Sequence, residues 1–502
     1  MTYRPILTIT IFAAMLFSGC EVTQQKSSDS AETAFKDEIK NSLVFLDITR
    51  SAYTNLQPWK LAPISQEHGY GCAVGPYQVL TTARNMIDAA YIKARRFGQN
   101  EFIPVTVKAI DYEANLCLLA LDPNAMNEPL EPLTFVEEFN KDAELIAWWI
   151  SAGGQLNTSR ASLDRAEVNK STVSYSQALD YVVANSPQTP GRGRLFCYNE
   201  KPVGIAYWSD SLNAEAGLAP AHTINLFLQD ARDGKYEGFP ALGFSVRNLV
   251  DPAMRSYLKM PPEITDGIYV SKVYKLGTGA DVLKPNDVVL AIDSNPIDSH
   301  GRFAHPVFDR IMYHDLITSR KIGETINFDI FRDGEKKQIS AVAKNFKVSE
   351  MLVPYYEYGK QPEYIVTAGY VIQKLTRPYL ANWGDNWQGA SPPHLYNYYR
   401  NVSFNPSDER EDILVLSYVL PADISLGFHS LGRIVIDRYN GIKVRRIEDI
   451  VEAMKLNPLD LFDTITFEND YPTVVIDRSK LYAADQFIQK NYGINKLTNV
   501  TP

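Results

Sequence analysis

The sequence predicts a mainly β protein with three folded units, and three observations support this. The 502 residues are enough for about three domains. From residue 41 to about residue 229, short apolar runs alternate with turn residues, which is typical of a β-barrel or β-sandwich. Tyrosine (29 residues) and phenylalanine (22 residues) are abundant, which favours strands over helices.

The first unit contains many short predicted strands and one predicted helix. The clearest strands cover residues 42–48, 71–74, 79–82, 104–110, 116–121, 145–149 and 203–207. Residues 223–231 have apolar positions at helical spacing and are followed by Asp233-Gly234, so we expect a helix that ends there.

The second and third units mix strands with helices. In the second unit, strands are predicted at 267–273 and 287–292, with a hairpin around Asp333-Gly334 because this pair between apolar runs favours a tight turn. In the third unit, strands are predicted at 364–371, 413–419 and 433–438, a helix at 447–454, and a final hairpin through residues 470–472. Residues 383–410 are rich in Asn, Pro, Gly and Tyr and predict an insertion loop.

The N-terminus predicts a secreted, lipid-anchored protein. Arg4 precedes an apolar run at residues 6–17 that is too short to span a bilayer, and Ser18-Gly19-Cys20 follows. This arrangement resembles the bacterial lipobox, which implies a signal peptide over 1–19, lipid on Cys20 and a flexible tether over 20–40. Glu21 after the cysteine favours the periplasmic side of the outer membrane. An ordinary signal peptide or an uncleaved anchor is the alternative.

Charge and cysteine content exclude several functional classes. The net charge is −9 and there is no basic block, so we expect no nucleic-acid partner. If Cys20 carries lipid, Cys72, Cys117 and Cys197 remain, each inside an apolar run, and we expect buried thiols. One disulfide among them stays an open alternative. With no C-x-x-C and no Cys/His cluster, we expect neither metal nor cofactor.

Three stretches of the first unit resemble the trypsin-like domain of HtrA/Deg serine proteases. The segments 69–75 (GYGCAVG) and 79–85 (VLTTARN) resemble the strand and turn that carry the catalytic histidine. The segment 109–119 (AIDYEANLCLL) resembles the one that carries the catalytic aspartate. Residues 190–196 (PGRGRLF), followed by 202–206 (PVGIA), resemble the loop of the nucleophilic serine. Their order and spacing match the family.

The resemblance continues into two PDZ-like units. Residues 236–244 and 282–289 are similar to the start and a later turn of the Deg-family PDZ domain, and 352–354, 362–364 and 368–370 are similar to its second PDZ-like domain. The resemblance implies a trypsin-like double six-stranded β-barrel over 41–235, a PDZ domain over 236–347 and a PDZ-like α+β domain over 348–497. It also implies a homo-oligomer, a trimer or a multiple of one.

The residues at the three triad positions are not those of a protease. The resemblance places Arg84 at the histidine position, Asn115 at the aspartate position and Gly191 at the serine position, or Arg192 with a slip of one residue. Guanidinium has no acceptor, so it is no general base, and glycine has no nucleophile. We therefore expect an inactive pseudoprotease that serves as a membrane-tethered binding or scaffold protein in envelope quality control. A residual or remodelled serine endopeptidase is the alternative.

Two features near the triad positions leave further alternatives. His68 could form a relocated pair with Ser186 or Thr189, although a histidine in this context is more often a surface loop residue. Arg192 and Arg194 flank Gly193 and either grip an acidic group or face solvent, and we expect solvent.

The candidate ligands are unfolded polypeptides or protein C-termini. Leu242, Gly243 and Phe244 form the candidate loop, because glycine permits the close backbone approach by which PDZ domains hold a carboxylate. The alternative is that Leu242 and Phe244 are core residues, and that a neighbouring domain covers the cleft. A purely structural role in assembly, without a ligand, is a third possibility.

Overall fold

The first unit begins with a closed six-stranded barrel. The computed structural model describes residues 35–137, 140, 142–184, 191–232 and 235–500. The strands are Leu43–Arg50 (β1), Ser65–Gly75 (β2), Gln78–Thr81 (β3), Ala89–Arg96 (β4), Ile103–Asp111 (β5) and Leu116–Leu121 (β6). They close in the order β1-β2-β3-β6-β5-β4. Along β1, Val44, Leu46 and Ile48 point into the barrel core and alternate with residues that face the other way.

A second closed barrel follows and is packed against the first. Its strands are Glu144–Ile150 (β7), Leu156–Lys170 (β8), Gln177–Ala184 (β9), Leu195–Tyr198 (β10), Lys201–Asp210 (β11) and Glu215–Pro220 (β12). Helix α1, Ala221–Arg232, packs on the core between the barrels through Ile224 and Phe227. The predicted double six-stranded barrel is confirmed.

The second unit is built on one antiparallel sheet. Its strands are Phe244–Asn248 (β13), Ile268–Val273 (β14), Val288–Ile292 (β15), Asn295–Pro296 (β16), Arg302–His305 (β17), Asp309–Met312 (β18), Thr325–Arg332 (β19) and Glu335–Val342 (β20). The sheet order is β13-β14-β15-β19-β20, β16 pairs with β15, and β17 pairs with β18. The helices are Pro252–Tyr257 (α2) and Asp315–Thr318 (α3).

The third unit has a longer sheet and five short or medium helices among its described residues. The strands are Tyr364–Thr367 (β21), Tyr370–Lys374 (β22), Leu414–Val419 (β23), Ile434–Tyr439 (β24), Ile442–Lys443 (β25), Phe462–Phe467 (β26), Val474–Asp477 (β27) and Thr498–Asn499 (β28). The order is β27-β26-β24-β23-β22-β21-β28, and β25 pairs with β24. The helices are Arg377–Leu380 (α4), Trp387–Ala390 (α5), Pro393–Asn397 (α6), Ile447–Lys455 (α7) and Arg478–Tyr492 (α8).

Two predictions for the third unit are wrong in detail. The single strand expected at 364–371 is a hairpin, because Ala368 and Gly369 both have positive φ (49° and 88°) and turn the chain between β21 and β22. The insertion expected as a loop contains α5 and α6, which bury Trp387 and Leu395 against the core.

Candidate functional site

The histidine and aspartate positions of the triad lie side by side in the first barrel. Arg84 is in a short 3₁₀ helix, Ala83–Met86, directly after β3. Asn115 is 5% exposed and has a φ of 54°, which fits a residue type that tolerates the left-handed region. The backbone N–H of Arg84 donates to Asn115 Oδ1 at 2.9 Å. The folded chain therefore brings together the two positions that the sequence placed 31 residues apart.

The serine position, Gly191, is buried between the two barrels on the same side. The loop after it is tied to the first barrel, because the carbonyl of Arg192 accepts from the N–H of Tyr70 at 3.0 Å and from Asn85 Nδ2 at 3.4 Å. Asn85 is the neighbour of Arg84, so the three triad positions converge at the barrel interface. A Cβ atom added to Gly191 would lie 2.6 Å from Cδ of Arg194. The Arg194 side chain thus fills the space next to the serine position.

The expectation that Arg192 and Arg194 face solvent is wrong. Arg194 is 2% exposed, and its guanidinium lies 4.2 Å from the ring centroid of Trp149 and 5.1 Å from that of Tyr70. Aromatic faces attract a guanidinium, and this attraction is stronger where water is excluded. Arg192 is partly buried and forms an ion pair with Glu67 at 3.2 Å. Both side chains therefore pack among the residues around the triad positions.

Arginine is concentrated around the triad positions. Glu67 pairs with Arg50 at 3.4 Å as well as with Arg192, so one carboxylate serves two guanidinium groups. Burial, followed by the charge of Arg192, lowers the pKa of Arg84 from its ordinary value. The guanidinium of Arg84 makes no hydrogen bond or ion pair with the described residues. The site has a positive charge where the protease mechanism needs a neutral acceptor.

A segment between the second and third units packs beside the same site. The ring of Tyr112 lies 4.9 Å from that of Tyr356 and 4.8 Å from that of Tyr358. Tyr358 donates its hydroxyl to the carbonyl of Val173 at 2.9 Å, and the N–H of Gly359 donates to Asp88 at 2.8 Å. This segment was missed at the sequence level, although the run of tyrosines at 355, 356 and 358 is an unusual linker composition.

Two carboxylates next to Asn115 hold the connections between the units. Asp111 is buried and accepts the hydroxyl of Tyr236 at 2.6 Å, and Glu113 accepts that of Tyr356 at 2.9 Å. Tyr236 precedes the first strand of the second unit, and Tyr356 precedes the first strand of the third unit. Burial, with the nearby Asp111 as a second cause, raises the pKa of Glu113 to about 8, and burial also raises the pKa of Asp111.

The loop predicted to hold a carboxylate lines a cleft where the three units meet. The cleft has a volume of about 270 Å³. The backbone N–H groups of Leu242 and Gly243 donate to no other group in the described part of the chain. Gly243 has a φ of 78°, and an added Cβ would lie 2.8 Å from the carbonyl carbon of Gly277, so glycine is needed there. Phe244, by contrast, is 4% exposed and packs in the core.

The other walls of this cleft come from all three units. Helix α3 contributes Asp315 and Thr318, the next residue is Ser319, and β13 contributes Phe244 and Ser245. The rings of Tyr175, Phe346 and Phe404 also line the cleft and contact each other at centroid distances of 4.9, 5.7 and 5.9 Å. These rings belong to the first unit, the linker and the third unit. Neighbouring units therefore narrow the cleft, but the candidate loop still lines it.

The structure also places the candidate histidine and three of the four cysteines. His68 lies on β2 and not in a loop, its side chain is exposed, and Nδ1 is 3.8 Å from Asp47 Oδ1. Cys72, Cys117 and Cys197 are free and buried, as expected, and burial raises the pKa of Cys72 to about 12. Cys20, Ser186, Thr189 and the tether to residue 34 lie outside the described residues.

The described residues contain neither a cluster of metal ligands nor a membrane-spanning helix. No group of three or more His, Cys, Asp and Glu side chains in that part of the chain is placed to hold a metal ion. Likewise, no helix among residues 35–137, 142–184, 191–232 and 235–500 is long and apolar enough to cross a membrane.

The two closed barrels have the trypsin-like protease fold, and a PDZ domain follows in the C-terminal part of the chain. Residues 353–498 match the PDZ domain family model. The chain is 25% identical to Protease Do-like 2, chloroplastic, of Arabidopsis thaliana, over 90% of this chain and 74% of that one. It is 24% identical to Protease Do-like 4, mitochondrial, of the same plant, over 88% of this chain and 82% of that one. The chain is therefore similar to HtrA/Deg proteases over most of its length.

Two solved structures match 63% of this chain at low sequence identity. The HtrA-type protease AlgW with a decapeptide covers 63% of this chain and 98% of its own, with a TM-score of 0.46 and 17% identity. The serine endoprotease from Yersinia pestis covers 63% of this chain and 98% of its own, with a TM-score of 0.40 and 13% identity.

Proposed function

We propose that this protein is a catalytically inactive HtrA/Deg-like pseudoprotease that binds polypeptide C-termini as a membrane-tethered binding or scaffold protein in envelope quality control. The observation that carries the proposal is the set of residues at the three converging triad positions. Arg84 stands at the place of the base, Asn115 at the place of its partner, and Gly191 at the place of the nucleophile.

The proton-transfer argument supports the loss of catalysis. The base of a serine protease accepts the hydroxyl proton and returns it to the leaving group, which requires a lone pair and a pKa near neutrality. Guanidinium offers only donors, and its ordinary pKa is above about 12. Removal of a single triad member lowers turnover on the order of 10⁴–10⁶-fold, and here all three positions are changed. The Arg194 side chain also occupies the space into which a nucleophile would project.

The loop of residues 242–244 in the second unit supports binding. PDZ domains capture a C-terminal carboxylate with backbone N–H groups and extend their sheet with the ligand strand. The N–H groups of Leu242 and Gly243 have no acceptor in the described chain, and both residues line a cleft of about 270 Å³ next to β13. Unsatisfied donors beside a cavity are the arrangement that such a carboxylate needs.

The catalytic part is tested with the purified full chain in detergent. The protein is incubated with a fluorophosphonate probe and with unfolded casein, beside an active trypsin-like protease. We expect no labelled band at the mass of this chain and no casein fragments. A labelled chain, with fragments that disappear when the probe is added first, would favour the endopeptidase alternative.

The binding part is tested with fluorescent C-terminal peptides and the same detergent-solubilised chain. We expect saturable binding of free-acid peptides and a loss of at least tenfold in affinity for the matched C-terminal carboxamides. Equal binding of acid and amide would contradict capture by the 242–244 loop. Absence of binding to every peptide would favour the purely structural role.

The anchor and the assembly state are separate parts of the proposal. We propose lipid on Cys20, a location at the periplasmic face of the outer membrane, and a homo-oligomer of three chains or a multiple of three. Cys20→Ser is expected to release the protein from the membrane fraction, and light scattering is expected to give a mass of three, six or more chains. A membrane-bound Cys20→Ser variant or a monomer would contradict the respective part.

A further inference from the structure

An acidic side chain in the 242–244 cleft has no hydrogen-bond or ion-pair partner among the residues that the structure describes. Asp315 is the first residue of α3 and lines the cleft opposite β13. Its carboxylate makes no hydrogen bond or ion pair with the described residues. Burial raises the pKa of Asp315 to about 6, while His222 and Arg320 oppose this effect only in part. The group is therefore mainly ionised at neutral pH in a place that disfavours an unpaired charge.

The two basic side chains near Asp315 have other partners. His222 Nε2 contacts the carbonyl of Ser319 at 3.1 Å, and its Nδ1 lies 3.4 Å from Glu137. Arg320 binds Asp293 at 2.9 Å. Neither group forms a hydrogen bond or ion pair with Asp315, so its carboxylate is open to a cation from a ligand.

The other charged groups of the cleft do not replace Asp315 in this role. Glu113 also lines the wall, but its pKa of about 8 keeps it largely neutral at pH 7, and it accepts the hydroxyl of Tyr356. Lys170 and Arg400 are exposed, so their long side chains can turn into water when a cationic ligand enters. Asp315 is therefore the carboxylate of this cleft that is mainly ionised at neutral pH.

We propose that the cleft selects polypeptide C-termini that carry a lysine or arginine side chain within the last few residues, and that Asp315 binds this side chain. The inference rests on the proposed binding of C-termini. A ligand strand added next to β13 directs alternate side chains towards α3, because successive side chains of a strand point to opposite faces. One of these side chains meets Asp315 while the terminal carboxylate lies at Leu242 and Gly243.

The test uses peptides of one sequence that differ at a single position. Lysine, alanine or glutamate is placed in turn at each of the three positions before the C-terminal residue, and affinity for the full chain is measured by fluorescence polarisation. At one position or at two alternate positions, we expect the lysine peptide to bind about fivefold more tightly than the alanine peptide, and the glutamate peptide to bind more weakly than either. The preference is expected to shrink in high salt.

Two variants assign the preference to one residue. Asp315→Asn is expected to bring the lysine to alanine ratio close to one while the alanine peptide binds within about twofold of the wild type. Asp333→Asn removes the same charge from a hairpin turn outside the cleft and is expected to keep the full lysine preference.

Three results separate this inference from the function on which it rests. Equal binding of lysine, alanine and glutamate peptides to the wild type, with loss of binding for the carboxamide, overturns the inference and leaves C-terminal capture intact. A lysine preference that survives in Asp315→Asn overturns the role of Asp315. Equal binding of acids and amides overturns the proposed function, and the inference with it.

Discussion

At the scale of single residues, a serine at position 191 alone is not expected to give an active protease site. Gly191→Ser is expected to remain unlabelled by a fluorophosphonate, because its Cβ would lie 2.6 Å from Arg194 Cδ and no base is present at position 84. The crowding is expected to lower the free energy of unfolding by about 1–3 kcal/mol. Gly191→Ala is the control, with the same crowding and no hydroxyl. A labelled serine variant would show that the site is less altered than its residues indicate.

Glu113 gives a residue-level prediction for pH. Its pKa is about 8 in the folded protein against an ordinary value of 4.5, so between these values the folded chain keeps a proton that the unfolded chain releases. The stabilising effect is complete below pH 4.5 and is lost as the pH rises towards 8, so the free energy of unfolding falls across this window. Urea unfolding at several pH values is expected to show a flatter profile for Glu113→Gln than for the wild type. Glu144→Gln, on the exposed edge of β7, is expected to keep the wild-type profile.

At the scale of elements, helix α8 has the clearest structural role. Ile488 is fully buried by Tyr364 and Leu420, so the helix covers one face of the third unit. Ile488→Ala is expected to lower the free energy of unfolding by about 2–5 kcal/mol, whereas Phe487→Ala, half-exposed on the same helix, is expected to change it by less than about 1 kcal/mol. Thermal or urea unfolding measures both. Equal effects would mean that α8 does not pack as described.

The same helix was missed by the sequence analysis although its ends carry signals. Asp477 accepts from the N–H of Ser479 at the N-terminus, and Gly493 has a φ of 64° after the C-terminus. Such residues mark helix ends. The apolar pattern between them is weak, because Ile488 is the one buried residue of this helix among the residues that the structure describes. The strands and α1 were predictable because their apolar periodicity is strong and local.

At the scale of the whole molecule, a loop of the first barrel docks on the third unit. Gln373 is 2% exposed, donates to the carbonyl of Asn55 at 2.9 Å and accepts from the hydroxyl of Ser417 at 2.8 Å. Tyr418 donates to the carbonyl of Leu56 at 2.7 Å. These contacts join segments that lie more than 300 residues apart.

This docking predicts how a single change is transmitted between units. Gln373→Leu removes the donor to the Asn55 carbonyl and the acceptor of the Ser417 hydroxyl, which is expected to cost about 1–3 kcal/mol and to raise hydrogen exchange at residues 53–61. Gln338→Ala, whose side chain bonds to Asp329 on an exposed strand pair, is expected to leave exchange at 53–61 unchanged. Unchanged exchange in Gln373→Leu would show that the loop is held by other contacts.

The sequence by itself determined the β-rich fold, the order of the units, and the residues at positions 84, 115 and 191. These features depend on local apolar periodicity and on motifs of a few residues, and both can be recognised in the chain before it folds. The tertiary structure alone decided that Arg194 is buried beside Gly191 and that Asp111 and Glu113 accept hydroxyls from two linkers. It also decided that Asp315 lines a cleft with no hydrogen-bond or ion-pair partner among the described residues. Each of these depends on contacts between segments far apart in the chain, where burial sets the energy of a charge, and no local pattern encodes that burial.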